Sequence, residues 1–181
     1  MRRKINNVIS VLFSFIRFAF IKLFHWSSFH FELVERFSPN VVVEIRKGGY
    51  LSIGKKVRVH SGTKIKASKG GKCSIGDGVK INYNCMIICH DNISIGNGVE
   101  FGPSVYLYDH DHYFNRESGV VSDQFRTAPV IIGEHTWIGA NTVILRGTKL
   151  GKNCVVGAGS ILNGEYPDGS VIVQKRETVV K

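Results

Sequence analysis

Between Ile132 and Pro167 the apolar positions keep a period of six. Ile132, Ile138, Ile144, Leu150, Val156 and Leu162 each open a block. Four places further on stands a small residue: Thr136, Thr142, Thr148, Cys154 and Ser160. A helix repeats its buried face every 3.6 residues and a strand every two, so neither element explains a six. A backbone wound into a coil with three flat sides, each about six residues long, does explain it. The aliphatic residue then points to the axis and the small residue fits where the wall turns. Such an array buries its core between successive coils. Glycine follows the aliphatic residue at 133, 139, 151 and 157, where it permits positive φ or close backbone approach.

The same period runs more loosely through the earlier chain. Ile53, Val59 and Ile65 are six apart, then Ile75, Ile81 and Ile87, then Ile95, Phe101 and Leu107. Phase slips at 66–72 and again before Ile95, and slips are tolerated best at corners. The largest interruption, about 109–131, is polar and charged and reads as a long loop. The coil is predicted to begin near Val41 within a domain spanning 34–181, and the tail after Pro167 to cap its last turn.

Residues 1–33 follow a different pattern. Arg2, Arg3 and Lys4 lead into an apolar run to Phe24 that Arg17 and Lys22 interrupt, which makes it a poor membrane span. Asn7, Ser10, Ser14 and Arg17 draw a narrow polar stripe at helical spacing, and Trp26 stands near the end. The pattern predicts an amphipathic helix in a membrane interface, its basic residues toward anionic headgroups. Packing on the coil or on another subunit is the competing expectation. A signal peptide is the rival reading, and Phe-His-Trp-Ser-Ser-Phe-His-Phe is a poor small-residue cleavage site for it.

With 181 residues and 43% hydrophobic content the chain can build one cored domain, and disorder is excluded. The net charge of +10 points to an anionic partner: a phosphorylated cofactor, an acidic glycan or an acidic lipid surface. No helix-turn-helix, zinc-finger or RNA-binding signature accompanies it, so no nucleic-acid partner is expected. Cys73, Cys85 and Cys154 hold small inward places and read as packing. Cys85 and Cys89 lack the second pair of a zinc site.

Candidate chemistry gathers in Val105-Tyr106-Leu107-Tyr108-Asp109-His110-Asp111-His112, where the long loop begins. An imidazole with a pKa near 6.5 can take a hydroxyl proton near neutral pH. His112 and His110 are the candidates, and Asp109 or Asp111 could orient either ring. Histidines two apart on a strand point the same way, so a zinc set drawn from His90, His110, His112 and His135 is the alternative use.

The six-residue pattern resembles the hexapeptide-repeat acyltransferases, and the histidine segment resembles their sugar and capsular polysaccharide O-acetyltransferase branch. That resemblance implies an all-β, left-handed parallel β-helix. The hand comes from the resemblance, since general rules favour right-handed crossovers. It also implies a homotrimer, acetyl-CoA as donor, no metal, and His112 as general base by position. Relatives often carry an acidic residue three places on, where this chain has Asn115. Asn82 and Asn84 match an Asn-aromatic-Asn segment that holds acceptor hydroxyls, with Asp109 and His110 beside the base. CoA would run past Gly139-Ala140 and Gly157-Ala158, with Trp137 lining its path and Asn163 at a place where relatives have threonine. Lys175 or Arg176 would meet its phosphates. The expected function is O-acetylation of a sugar or lipid-linked glycan hydroxyl in the cytoplasm, peripheral to the inner membrane face. N-acetylation of an amino sugar, a γ-carbonic-anhydrase-like zinc enzyme and a non-catalytic glycan binder are the other readings.

Overall fold

The computed structural model describes residues 2–33 and 35–175, with side chains from residue 8 onward. After one helix, Arg2–Phe24, the backbone winds into a left-handed parallel β-helix with three faces. The first face stacks Phe29–Phe31, Tyr50–Ile53, Lys72–Ile75, Asn92–Ile95, Val130–Ile132, Lys149–Leu150 and Glu165–Tyr166. The second stacks Arg36–Phe37, Arg58–Val59, Lys80–Ile81, Glu100–Phe101, Trp137–Ile138, Val155–Val156 and Val171–Ile172. The third stacks Val42–Ile45, Lys64–Ala67, Met86–Cys89, Tyr106–Tyr108, Val143–Ile144 and Ile161–Leu162. All these pairings are parallel.

Register turns the period into columns of buried side chains. Ile53, Ile75, Ile95, Ile132 and Leu150 align down the first face. Val59, Ile81, Phe101, Ile138 and Val156 align down the second, and Ile65, Ile87, Leu107, Ile144 and Leu162 down the third. Each is buried, and such a side chain contributes roughly 1.5–3 kcal/mol. The small residues are buried too. Thr142 and Ser160 donate to the carbonyls of Gly139 and Gly157 at 2.8 and 2.7 Å, so the turning wall leaves few buried groups unpaired. A Cβ on Gly139 would come within 2.5 Å of the Ala158 amide nitrogen. Its glycine serves close approach. The positive φ values fall two places later, at His135, Asn141, Gly147, Asn153 and Gly159.

The three phase slips all fall at one place, the corner between the third face and the first. From 65 to 75, 87 to 95 and 107 to 132 the chain takes extra residues there. The last insertion is no irregular loop. His110–Asn115 and Gly119–Thr127 pair antiparallel as a hairpin arm, with a register shift between His112 and Phe114. One predicted boundary also moves. Phe29–Phe31 pairs with Leu51–Ile53, so the coil begins before Val41. Glu165–Tyr166 extends the first face; in the tail, Val171–Ile172 extends the second, and the Gln174 amide covers the open backbone edge at Ile161.

The helix closes the open end of the coil with its polar stripe inward. The Ser14 hydroxyl accepts the Phe37 N–H at 2.8 Å. Arg17 donates to the Val41 carbonyl at 2.7 Å, and Lys22 to those of Trp26 and Phe29, each at 2.6 Å. These bonds satisfy the backbone of a coil with no neighbour below it. Phe18, fully buried, packs edge-on against Phe29, Phe31 and Phe37. Beneath the helix sits Glu35, buried, with neither carboxylate oxygen hydrogen-bonded. Burial pushes its carboxyl up to about 8, the Val57 and Lys56 amides offset part of this, and Asp77 and Glu32 add to it.

The sign of the Glu35 effect follows from linkage. Below pH 4.5 the folded and unfolded chains both hold the proton; from there to about pH 8 only the folded chain keeps it. Stability should therefore fall as pH rises through that window. Glu35→Gln is expected to flatten the slope in a series of thermal melts, and an unchanged slope would show that Glu35 ionises freely.

Candidate functional site at the hairpin corner

Asp109 follows the third-face strand into the corner and is fully buried. Its carboxylate accepts the N–H of His90 at 2.8 and 3.1 Å and that of Asp91 at 2.8 Å. His110 Nδ1 lies 3.2 Å from the same carboxylate, within reach to donate a hydrogen bond to it. Burial alone would raise the Asp109 carboxyl. The donors from His110, the two amides and the Cys89 thiol outweigh it and hold the group below its ordinary value. The His110 ring stacks on His90 at 3.9 Å between centroids, and Phe125 closes on both at 5.3 and 4.3 Å. Burial first, then neighbouring His110, keeps His90 below its usual value.

His112 stands two residues further out, exposed, opposite Phe125 in the hairpin register. It lines an open groove of about 560 Å³ with Asp111, Tyr113, Arg116, Arg126 and Arg146 among its walls. Asp111 binds the Arg146 Nε, which ties the arm to the late coil that carries Leu145. The Arg126 guanidinium covers the Tyr113 ring at 5.0 Å. Asn115 accepts the Glu117 N–H at 2.8 Å and shapes the tip of the arm. Among the described residues no group of three or more His, Cys, Asp or Glu is arranged to hold a metal. His90 and His110 meet ring on ring.

The hexapeptide repeat of succinyl-transferase family model matches residues 129–163, within the most regular coils. A galactoside O-acetyltransferase of Lactococcus lactis is 31% identical over 146 residues, which cover 77% of this chain and 69% of that one. The chain belongs to the hexapeptide-repeat acyltransferase family. A probable acetyltransferase of Mycobacterium tuberculosis is 34% identical over 132 residues, 72% of this chain but 44% of its own length. In fold the chain is similar to a solved N-acyltransferase from Bacillus cereus in complex with dTDP and coenzyme A. The TM-score is 0.66 at 20% identity, over 77% of this chain and 76% of that one.

The residues matched by the hexapeptide-repeat resemblance divide between two corners. Trp137 is exposed on the second face between Glu100 and Val155. Gly139-Ala140 and Gly157-Ala158 follow at the corner between the second and third faces, where the Gly159 N–H donates to the Ala140 carbonyl at 2.7 Å. Asn82 and Asn84 lie on that corner in an earlier coil. Asn82 Oδ1 accepts the Tyr83 N–H at 3.0 Å, and Asn84 takes a positive φ of 58°. His110 and His112 belong to the other corner. About five extended residues separate the corners, on the order of 15 Å at about 3.3 Å each. One chain does not bring the two groups together. Asn163 sits beyond the third face, on the histidine side. Lys175 is exposed beyond Gln174, whose amide pairs with both backbone groups of Ile161. Arg176 lies outside the described residues.

The three arginines of the groove escaped the sequence reading. Arg116 and Arg126 belong to an insertion with no repeat to align, and Arg146 reads as an ordinary outward residue. Asp109 is a buried brace for the corner, and its carboxylate meets the His110 ring, one of the two it was expected to orient. Asp109→Ala leaves two amides and a histidine without their acceptor, and should cost about 2–4 kcal/mol in urea unfolding. Because the folded carboxyl is held low, its contribution is present above the ordinary carboxylate range and lost as pH falls through the folded value. Wild-type stability should drop more steeply in acid than that of the variant, and parallel curves would contradict the assignment.

Proposed function

We propose that this chain transfers an acetyl group from acetyl-CoA to a sugar hydroxyl, at a site that two neighbouring copies of a homotrimer complete. The observation that carries the reading is His112, exposed in a groove among three guanidinium groups. His112 takes the hydroxyl proton as the sugar oxygen attacks the thioester carbonyl. A backbone amide of the late coils stabilises the oxyanion. The carbon–sulfur bond then breaks, the proton passes to the departing thiolate, and the products are an acetyl ester and the CoA thiol.

CoA would run along the corner of small residues, past Trp137, Ala140 and Ala158, in the neighbour of the chain that supplies His112. Ala158 is exposed, so a pantetheine arm can lie close against the backbone there. The Bacillus cereus relative holds coenzyme A and the Lactococcus lactis relative is a galactoside O-acetyltransferase; both fit this reading. Arg116, Arg126 and Arg146 suit the phosphates of the donor or an anionic acceptor.

The test is acetyl transfer with purified protein, acetyl-CoA and a panel of sugars with and without a free amine. His112→Ala is expected to lower kcat by about 10²–10⁴-fold and to leave CoA affinity within roughly twofold in calorimetry. A variant that keeps most of its turnover would remove His112 as the base. Turnover confined to amine-bearing sugars would replace the hydroxyl with a nitrogen acceptor.

A further inference from the structure

The helix docks with its polar stripe against the coil, so its apolar arc is left outside. Val8, Leu12, Ile16, Phe20 and Leu23 recur at helical spacing and, with Trp26 just past the end, are 57–77% exposed. Polar rims do not interrupt this stripe, and soluble surfaces rarely leave one uncovered. A mostly apolar cleft of about 260 Å³, lined by Val11, Phe15, Phe31 and Leu33, with Glu32 and Glu35 among its walls, opens beside it. Flexible acyl chains can fill such a concave margin.

Charge selects the occupant. Residues 1–76 hold 15 of the 24 Lys and Arg and 3 of the 14 Asp and Glu, a net +12. Residues 77–181 hold the remaining 9 and 11, a net −2. The helix itself contains no acidic residue. The molecule's positive charge is therefore concentrated at the end of the prism that carries the arc. Pairing two such ends would press like charges together, whereas anionic headgroups neutralise them. No helix among the described residues is long and apolar enough to cross a membrane, so the helix would lie in the interface.

We propose that the outward arc of residues 8–26 docks on an anionic bilayer surface, such as a cytoplasmic leaflet presents. The basic flank of the first coils faces the headgroups, and the corners that carry His112 and Ala158 stay in water.

The experiment is co-sedimentation of the full chain with phosphatidylcholine vesicles, with and without about 30% phosphatidylglycerol, at low and high salt. Binding is expected on the anionic vesicles, roughly tenfold or more weaker on neutral ones and weakened by salt. The variant Ile16→Asp/Phe20→Asp/Leu23→Asp changes exposed positions only, and its folding is checked by thermal melt. It should lose binding by roughly tenfold or more. Wild-type protein left in the supernatant of anionic vesicles would overturn the proposal, as would a folded variant that binds as well as wild type. A variant of lower mass in ultracentrifugation, with neither protein captured by vesicles, would give the arc to a second copy instead.

Discussion

One constraint governs this molecule: every sixth residue must turn an aliphatic side chain to the axis of a narrow prism. Columns such as Ile53, Ile75, Ile95, Ile132 and Leu150 are continuous, so a residue inserted within a face would rotate the rest of its coil out of the core. Insertions survive only where the wall turns, and this chain collects them at a single corner. The hairpin, the buried Asp109 and both loop histidines are there because that is where the core tolerates extra chain.

A prism of this kind has ends, and its first coil exposes backbone that no further coil can pair. The N-terminal helix meets that need with Ser14, Arg17 and Lys22 bonded to main-chain groups of the coil. Using its few polar residues inward forces its apolar residues outward. Closing the coil and creating an outward apolar surface are thus one event. Glu35, held neutral beneath the helix by burial, belongs to the same junction.

The repeat was legible because one residue type recurs at one spacing, and every aliphatic position named from it is buried. The polar stripe was legible as well, but not its direction, since spacing shows that two faces differ and not which one meets the protein. The hairpin read as a loop because both its faces are largely exposed and no alternation of burial marks its strands. His112 could be named as a candidate beside His110, and the resemblance alone put it first. The arginines around it could not, because the Asp111–Arg146 contact joins residues 35 apart across an insertion. That Asn82 and His112 occupy different corners follows only from counting faces, which a sequence with slips does not permit.

The separation of the two corners makes a shared site the centre of the account, and subunit mixing tests it. His112→Ala removes the proposed base; Ala158→Trp sets a ring on the exposed corner where the donor would lie. Each variant alone should be inactive. Unfolded and reassembled together in equal amounts, the proposed trimer should regain about a quarter of wild-type turnover, because each site then draws an intact corner from each parent with even odds. A mixture that stays inactive, although its subunits exchange, would contradict a site built from neighbouring copies.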